Sequence, residues 1–284
     1  MRCRRGAEAG AHMKFYCALL MLCFATAALA APKADLWPVW QANHPDSTQT
    51  IDHAVWNEFL QTYVRTDEPD GINRVAYTAV PASKEAALKA DIARLEAVRI
   101  DDYAPAEQRA YWMDLYNEET VLLILQHMPV KSILDINLGG GGLFSRGPWD
   151  AKLLTIEGRA VSLNDIEHRI IRPIWSSPLN HYGLNCASLG CPNLLPEAFT
   201  GANFMALLTA NARDYINNPA HVSVGPNGLS VSNIYIWYQA DFDGTDQGVI
   251  GHLMQYAAPG LRQQLAGIHA ISSHQYDWDL NIAP

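Results

Sequence analysis

The chain has 284 residues, 49% of them hydrophobic, with 20 basic against 29 acidic side chains and a formal net charge of −9. That apolar share is ample for a real core, and the acidic balance repels polyanions, which excludes nucleic acid as a partner.

The first segment reads as an export leader. Met13-Lys14 is followed by an apolar run to Leu29, and Ala28-Leu29-Ala30 fits the small-x-small rule for cleavage. The run is too short for a span of about 20 apolar residues, so a retained anchor is the weaker alternative. We expect residues 1–30 to be a signal peptide, with 1–12 an upstream extension, and the mature chain to start at Ala31 in the periplasm or outside the cell. Losing Arg2, Arg4, Arg5, Lys14 and Glu8 leaves 16 basic and 28 acidic side chains, net −12. No second apolar run approaches a membrane span. Cys3, Cys17 and Cys23 leave with the leader, and Cys186 and Cys191 remain.

Residues 31–103 are expected to form an N-terminal helical segment packed on the main domain. Residues 51–63 have helical spacing, with Asp52 as cap, and Ser83 to Val98 reads as an amphipathic helix. Pro105 to His127 is the strongest helix. Its apolar positions wrap most of the circumference, so it is expected to be buried. Gly139–Gly142 lacks the residues of a phosphate loop and reads as a flexible surface loop. Lys152 to Leu163 reads as a hairpin with a Glu-Gly turn, Asn164 to Arg172 as a short helix ended by Pro173, and His181 to Asn185 as a short strand. A helix from Phe204 to Ile216, a hairpin over 222–232, an aromatic stretch over 234–242 and one or two helices over 249–265 complete the chain. The absence of repeats and linkers argues for a single compact α+β domain, with more helix than strand and a small antiparallel sheet with hairpins.

Several segments together resemble the family catalogued as domain of unknown function 547. They are Tyr111-Trp112-Met113-Asp114-Leu115-Tyr116-Asn117, Pro129-Val130-Lys131-Ser132-Ile133, Pro148-Trp149-Asp150, the run from Ser162 to His168, the run from His181 to Pro192, Trp237 to Phe242, and Tyr276 to Asn281. The resemblance covers about residues 104–281. It implies a domain found in bacteria and plants whose biochemical role is not established. Glu118-Glu119 depart from the small or apolar residues expected after the Tyr-Asn pair. Charges there suggest that this end of the helix reaches solvent or a cleft.

Candidate chemistry is dense between Trp149 and Cys191. Glu167 is either a site acid or the closing residue of a capping box on Asn164. His168 shares a helix face with Asn164, Asp165, Ile171 and Arg172, and is a candidate base. On a regular strand His181 would point away from Cys186 and lie roughly 16 Å from it, which favours His168 as the thiol's partner. Cys186 and Cys191 support three readings: a disulfide, a thiolate nucleophile at Cys186, or a metal site with histidine. Asn117 and Asn185 are candidate orienting groups, and Trp149, Trp237 and Trp278 candidate walls of a ligand groove. The reading adopted is an exported thiol-dependent hydrolase or transferase acting on an amide or thioester. Cys186 is the nucleophile, His168 or His181 the base, and Asn117, Glu167 or Asn185 the orienting groups. It takes a small-molecule or peptide ligand and needs no cofactor or metal. The rival is a non-catalytic binding module with a Cys186–Cys191 disulfide and an aromatic groove.

Overall fold

A long helix that is apolar nearly all round must lie inside a core, and the remaining elements wrap this one. The computed structural model describes residues 32–139 and 147–284. The expected leader, and the glycine run from Gly140 onward, lie outside the described residues.

The chain forms α1 (Ala54–Tyr63), a short ribbon of β1 (Val64–Arg65) and β2 (Arg74–Val75), then α2 (Ala82–Glu96) and α3 (Pro105–His127). A hairpin of β3 (Leu154–Ile156) and β4 (Arg159–Val161) leads into a π-helix (Asp165–Ile171), which continues as α4 (Arg172–Ile174). A 3-10 helix (Pro178–Tyr182) and a long loop lead to α5 (Phe204–Asn217), β5 (Val222–Gly225), β6 (Gly228–Ser232) and α6 (Ile234–Trp237). The chain closes with α7 (Asp246–Tyr256), α8 (Pro259–Leu265) and β7 (Ile271–Gln275). The expected α+β class, richer in helix than strand, is what the structure shows. The main sheet has the order β5-β6-β7. Its hairpin is antiparallel as expected, but β7 joins β6 in parallel, because α6, α7 and α8 carry the chain back before it pairs.

On α3 every residue from Glu107 to Ile124 is buried. Its polar members tie the surrounding loops to it. Glu107 accepts from Ile51 N at 2.7 Å and Gly201 N at 2.9 Å, and Gln108 donates to the carbonyls of Ala42 and Ile100. Trp40 packs against Trp112 at 5.2 Å, so the N-terminal segment and the main domain share one hydrophobic core. Glu118 and Glu119 do not reach solvent as expected: they are 0% and 7% exposed. Burial pushes both carboxyls up, Glu119 to about 8 and Glu118 well above the usual range, and so favours the neutral form of each.

Three local expectations are corrected. Pro173 does not end the helix after Asn164. It lies inside the continuous helix that runs on to Ile174, and the carbonyls left without its N–H, His168 O and Arg169 O, accept from Asp35 N and Trp37 N. Residues 181–185 are not a strand. Ser177 accepts from Leu179 N and starts the 3-10 helix over 178–182, so the opposite-face argument against His181 loses its premise. The aromatic stretch after Asn233 is helical in α6 and again over Gln239–Phe242, so strand alternation does not sort its rings.

Candidate functional site

The entry to the π-helix is set by Ser162. Its Oγ accepts from Asp165 N at 3.1 Å, and Asp165 accepts from Ser162 N at 2.9 Å, a reciprocal cap. Asn164 makes no capping bond and instead donates to Asp150 at 2.6 Å. Capping therefore falls to Ser162 and Asp165, and Glu167 is free for other contacts. The wide turn has Arg172 N donating to Glu167 O. Its displaced carbonyls take outside donors: His168 O accepts from Asp35 N and Arg169 O from Trp37 N, both at 2.9 Å.

From this helix a charged network reaches the 3-10 turn at 239–242. Arg172 donates to both carboxylate oxygens of Asp241, at 2.7 and 3.1 Å, and lies over the Tyr238 ring at 4.9 Å. His181 Nε2 pairs with the same carboxylate at 2.7 Å, its ring 4.1 Å from Tyr238. His168 Nδ1 lies 3.0 Å from Arg172 Nη1 and 3.9 Å from Glu167. Burial raises the Asp241 carboxyl, but hydrogen bonds from His181 and Arg172 outweigh it and hold the group well below the usual range. Burial pushes His168 down; the Glu167 charge opposes this, and the neighbouring Arg172 and His181 charges add to it. Glu167 is buried to 7% exposure, and its charge helps push the neighbouring Tyr238 hydroxyl up.

Cys186 lies beside this network. Its sulfur is 3.0 Å from the Tyr276 hydroxyl and 3.2 Å from the Ser188 hydroxyl, and these two hydroxyls are 3.0 Å apart. The side chain is half-buried, whereas Cys191 is buried. Burial pushes the Cys186 thiol up, but hydrogen bonds from Cys191, Ser188 and Tyr276 together outweigh it and leave the thiol below its ordinary value. Glu167 is close enough for its charge to oppose that shift. Among the described residues no histidine hydrogen-bonds the sulfur.

The backbone under the thiol is held by the asparagines. Asn117 Nδ2 donates to Gly183 O and its Oδ1 accepts from Asn185 N, both at 2.8 Å. Asn185 in turn accepts from Ala187 N and donates to Pro192 O, both at 2.9 Å. Both amides therefore position the Cys186 turn rather than touch its sulfur. The turn passes through Ala187 at φ +59° and then so close to residue 277 that a Cβ on Gly190 would lie 2.8 Å from Asp277 O. Only glycine fits there.

Cys186 and Cys191 are both free, so the disulfide of the rival reading is not present. Cys186 N instead donates to Cys191 Sγ at 2.9 Å. Among the described residues no group of three or more His, Cys, Asp or Glu is placed to hold a metal ion. An aromatic wall completes the site. Tyr276 packs on Trp237 at 4.8 Å and on Trp278 at 4.7 Å, and Trp278 meets Trp149 at 5.8 Å. All four rings are half-buried. A cleft of about 420 Å³, lined by Asp70, His221 and Gln275 among others, shares Tyr276 with this wall. None of Cys186, Glu167, His168, His181 or Asp241 lines it.

Sequence reasoning proposed Cys186, Glu167, His168, His181, Trp149 and Trp237, and the structure places them around this region. It did not propose Ser188, Tyr276, Arg172, Tyr238 or Asp241 as site residues. The first two complete the thiol's hydrogen bonds, and the last three link the histidines.

Residues 100–216 match the family model described as a protein of unknown function, DUF547. The chain carries a DUF547 domain. No curated protein matches the chain, and no solved structure matches it. The DUF547 match holds α3, the π-helix and both cysteines. Tyr238, Asp241 and Tyr276 lie beyond it, so the site joins the DUF547 domain to the C-terminal segments.

Proposed function

We propose that the protein is an exported thiol-dependent acyl-transfer enzyme, a hydrolase or transferase acting on an amide or thioester. The observation that carries the reading is the half-exposed Cys186 thiol, biased toward thiolate by the hydroxyls of Ser188 and Tyr276 beside an aromatic wall. A thiolate, not a thiol, attacks a carbonyl. Cys186 Sγ would bond to the carbonyl carbon, the leaving amine or thiol would depart with a proton, and water or a second acceptor would release the acyl group. Glu167, whose charge reaches the thiol, and His168 beside it are the groups proposed to carry the proton, with His181 held against Asp241. Trp149, Trp237 and Trp278 offer flat apolar surface to a small-molecule or peptide ligand.

The test is acyl-enzyme trapping. An activated thioester should leave its acyl group on Cys186, seen as an intact-mass increase that Cys186→Ser abolishes. If iodoacetamide labels Cys186 rapidly but no thioester or activated amide acylates it, the reading fails. The rival, a binding module, is favoured by one observation: no described histidine touches the sulfur. It predicts ligand-dependent tryptophan fluorescence that is unchanged in Cys186→Ser.

A further inference from the structure

We propose that Cys186 and Cys191 form a reversible redox couple, in which a hydroperoxide oxidises Cys186 and Cys191 then closes onto it as an intramolecular disulfide. The two sulfurs differ in the way such a couple needs. Cys186 is half-exposed and is held by two hydroxyls, so it meets a small oxidant first. Cys191 is 4% exposed, and its sulfur accepts from Cys186 N at 2.9 Å, which holds it against the backbone of the first cysteine. Burial pushes the Cys191 thiol well up, which keeps it protonated and out of reach of the oxidant.

The backbone between them is already folded into a closed turn. Cys191 N donates to Ser188 O at 3.1 Å, and Leu189 N and Gly190 N are each anchored at 2.8 Å to the carbonyls of Asp279 and Asp277. Closure therefore starts from a turn that already holds Cys191 Sγ against the Cys186 backbone. In the first step the Cys186 thiolate attacks the terminal peroxide oxygen. The O–O bond breaks, the alcohol leaves after taking a proton, and the sulfur is oxidised to a sulfenic acid. In the second step Cys191 sulfur attacks the sulfenic sulfur. The S–O bond breaks, and the hydroxide leaves with the Cys191 proton as water. A dithiol reverses the bridge by exchange and is itself oxidised. In the compartment an export leader implies, such a couple shields a nucleophilic thiol from irreversible oxidation. The couple does not depend on acyl transfer, because it needs only an oxidant and two adjacent thiols.

The experiment is peptide mass spectrometry of the full chain after limiting hydrogen peroxide and alkylation of the remaining thiols. The peptide holding both cysteines should lose two hydrogens and block both thiols together, with dithiothreitol restoring them. Cys191→Ser should instead accumulate a sulfenic acid on Cys186 that dimedone traps, and should proceed to sulfinic acid about tenfold faster than wild type. Wild-type protein that gains oxygen on Cys186 while Cys191 stays alkylatable overturns the proposal, even if no variant folds. So does an equal rate of over-oxidation in wild type and Cys191→Ser. Acyl trapping on the reduced protein reports on the enzyme reading alone, so the two can fail separately.

Discussion

At Cys186 the thiol is lowered by Cys191, by the Ser188 hydroxyl two positions on and by the Tyr276 hydroxyl from a distant part of the chain. Tyr276 lies 90 positions further on, and its hydroxyl is 3.0 Å from the sulfur. A hydrogen bond to a charged group contributes roughly 1.5–3 kcal/mol, and one pH unit corresponds to about 1.4 kcal/mol. Tyr276→Phe should therefore raise the pH midpoint of Cys186 alkylation by about one unit, read from iodoacetamide rates across pH. An unchanged midpoint would mean that Ser188 and Cys191 alone hold the thiolate. Cys186 itself was legible because reactive residue types crowd its segment. Tyr276 was not, because nothing local in the sequence reports a contact made through tertiary folding. Asn117 was legible only as a buried amide in need of partners, and the Gly183 carbonyl and Asn185 amide meet that need.

Among the elements, the π-helix sets the arrangement of the site. Its wide turn aligns Glu167, His168 and Arg172 with the segment holding Tyr238 and Asp241, and it depends on the Ser162–Asp165 cap for its start. Ser162→Ala removes two of that cap's hydrogen bonds and should cost about 1–2 kcal/mol. Urea unfolding measures this, and a loss below about 0.3 kcal/mol would show that Lys152, which also pairs with Asp165, carries the cap. The bounds of α3 could be read directly, because Pro105 opens it and Pro129 follows its end. The π turn could not, since periodicity does not distinguish an i→i+5 step inside nine residues. Ser177-Pro178 was a start signal that went unread: a capping serine followed by a proline suited to a first turn.

For the molecule as a whole, α3 concentrates acids where water does not reach. Glu119 has its folded pKa raised to about 8, from an ordinary 4.5. Its neutral form favours folding fully below the unfolded value, and that contribution is lost as pH rises from about 4.5 through about 8. The shift corresponds to roughly 5 kcal/mol, so Glu119→Gln should flatten the fall in stability across that window and stabilise the protein at pH 8. Denaturant midpoints from pH 5 to 9 measure it, and parallel curves for variant and wild type would place the titration elsewhere. Glu118 and Asp114 are displaced the same way by burial and leave a residual slope.

The neutral acids of α3 also make unfolding a proton-releasing reaction. At pH 7.5, where an unfolded histidine is already largely neutral, most of Glu119 holds its proton in the folded chain and loses it when the chain opens, and burial displaces Asp114 and Glu118 in the same direction. Those protons pass to the buffer, and the heat of that transfer is added to the calorimetric signal. The unfolding endotherm should therefore be smaller in Tris, which binds protons with a large release of heat, than in phosphate at the same pH and midpoint. Equal enthalpies in the two buffers would mean that the core acids are already ionised.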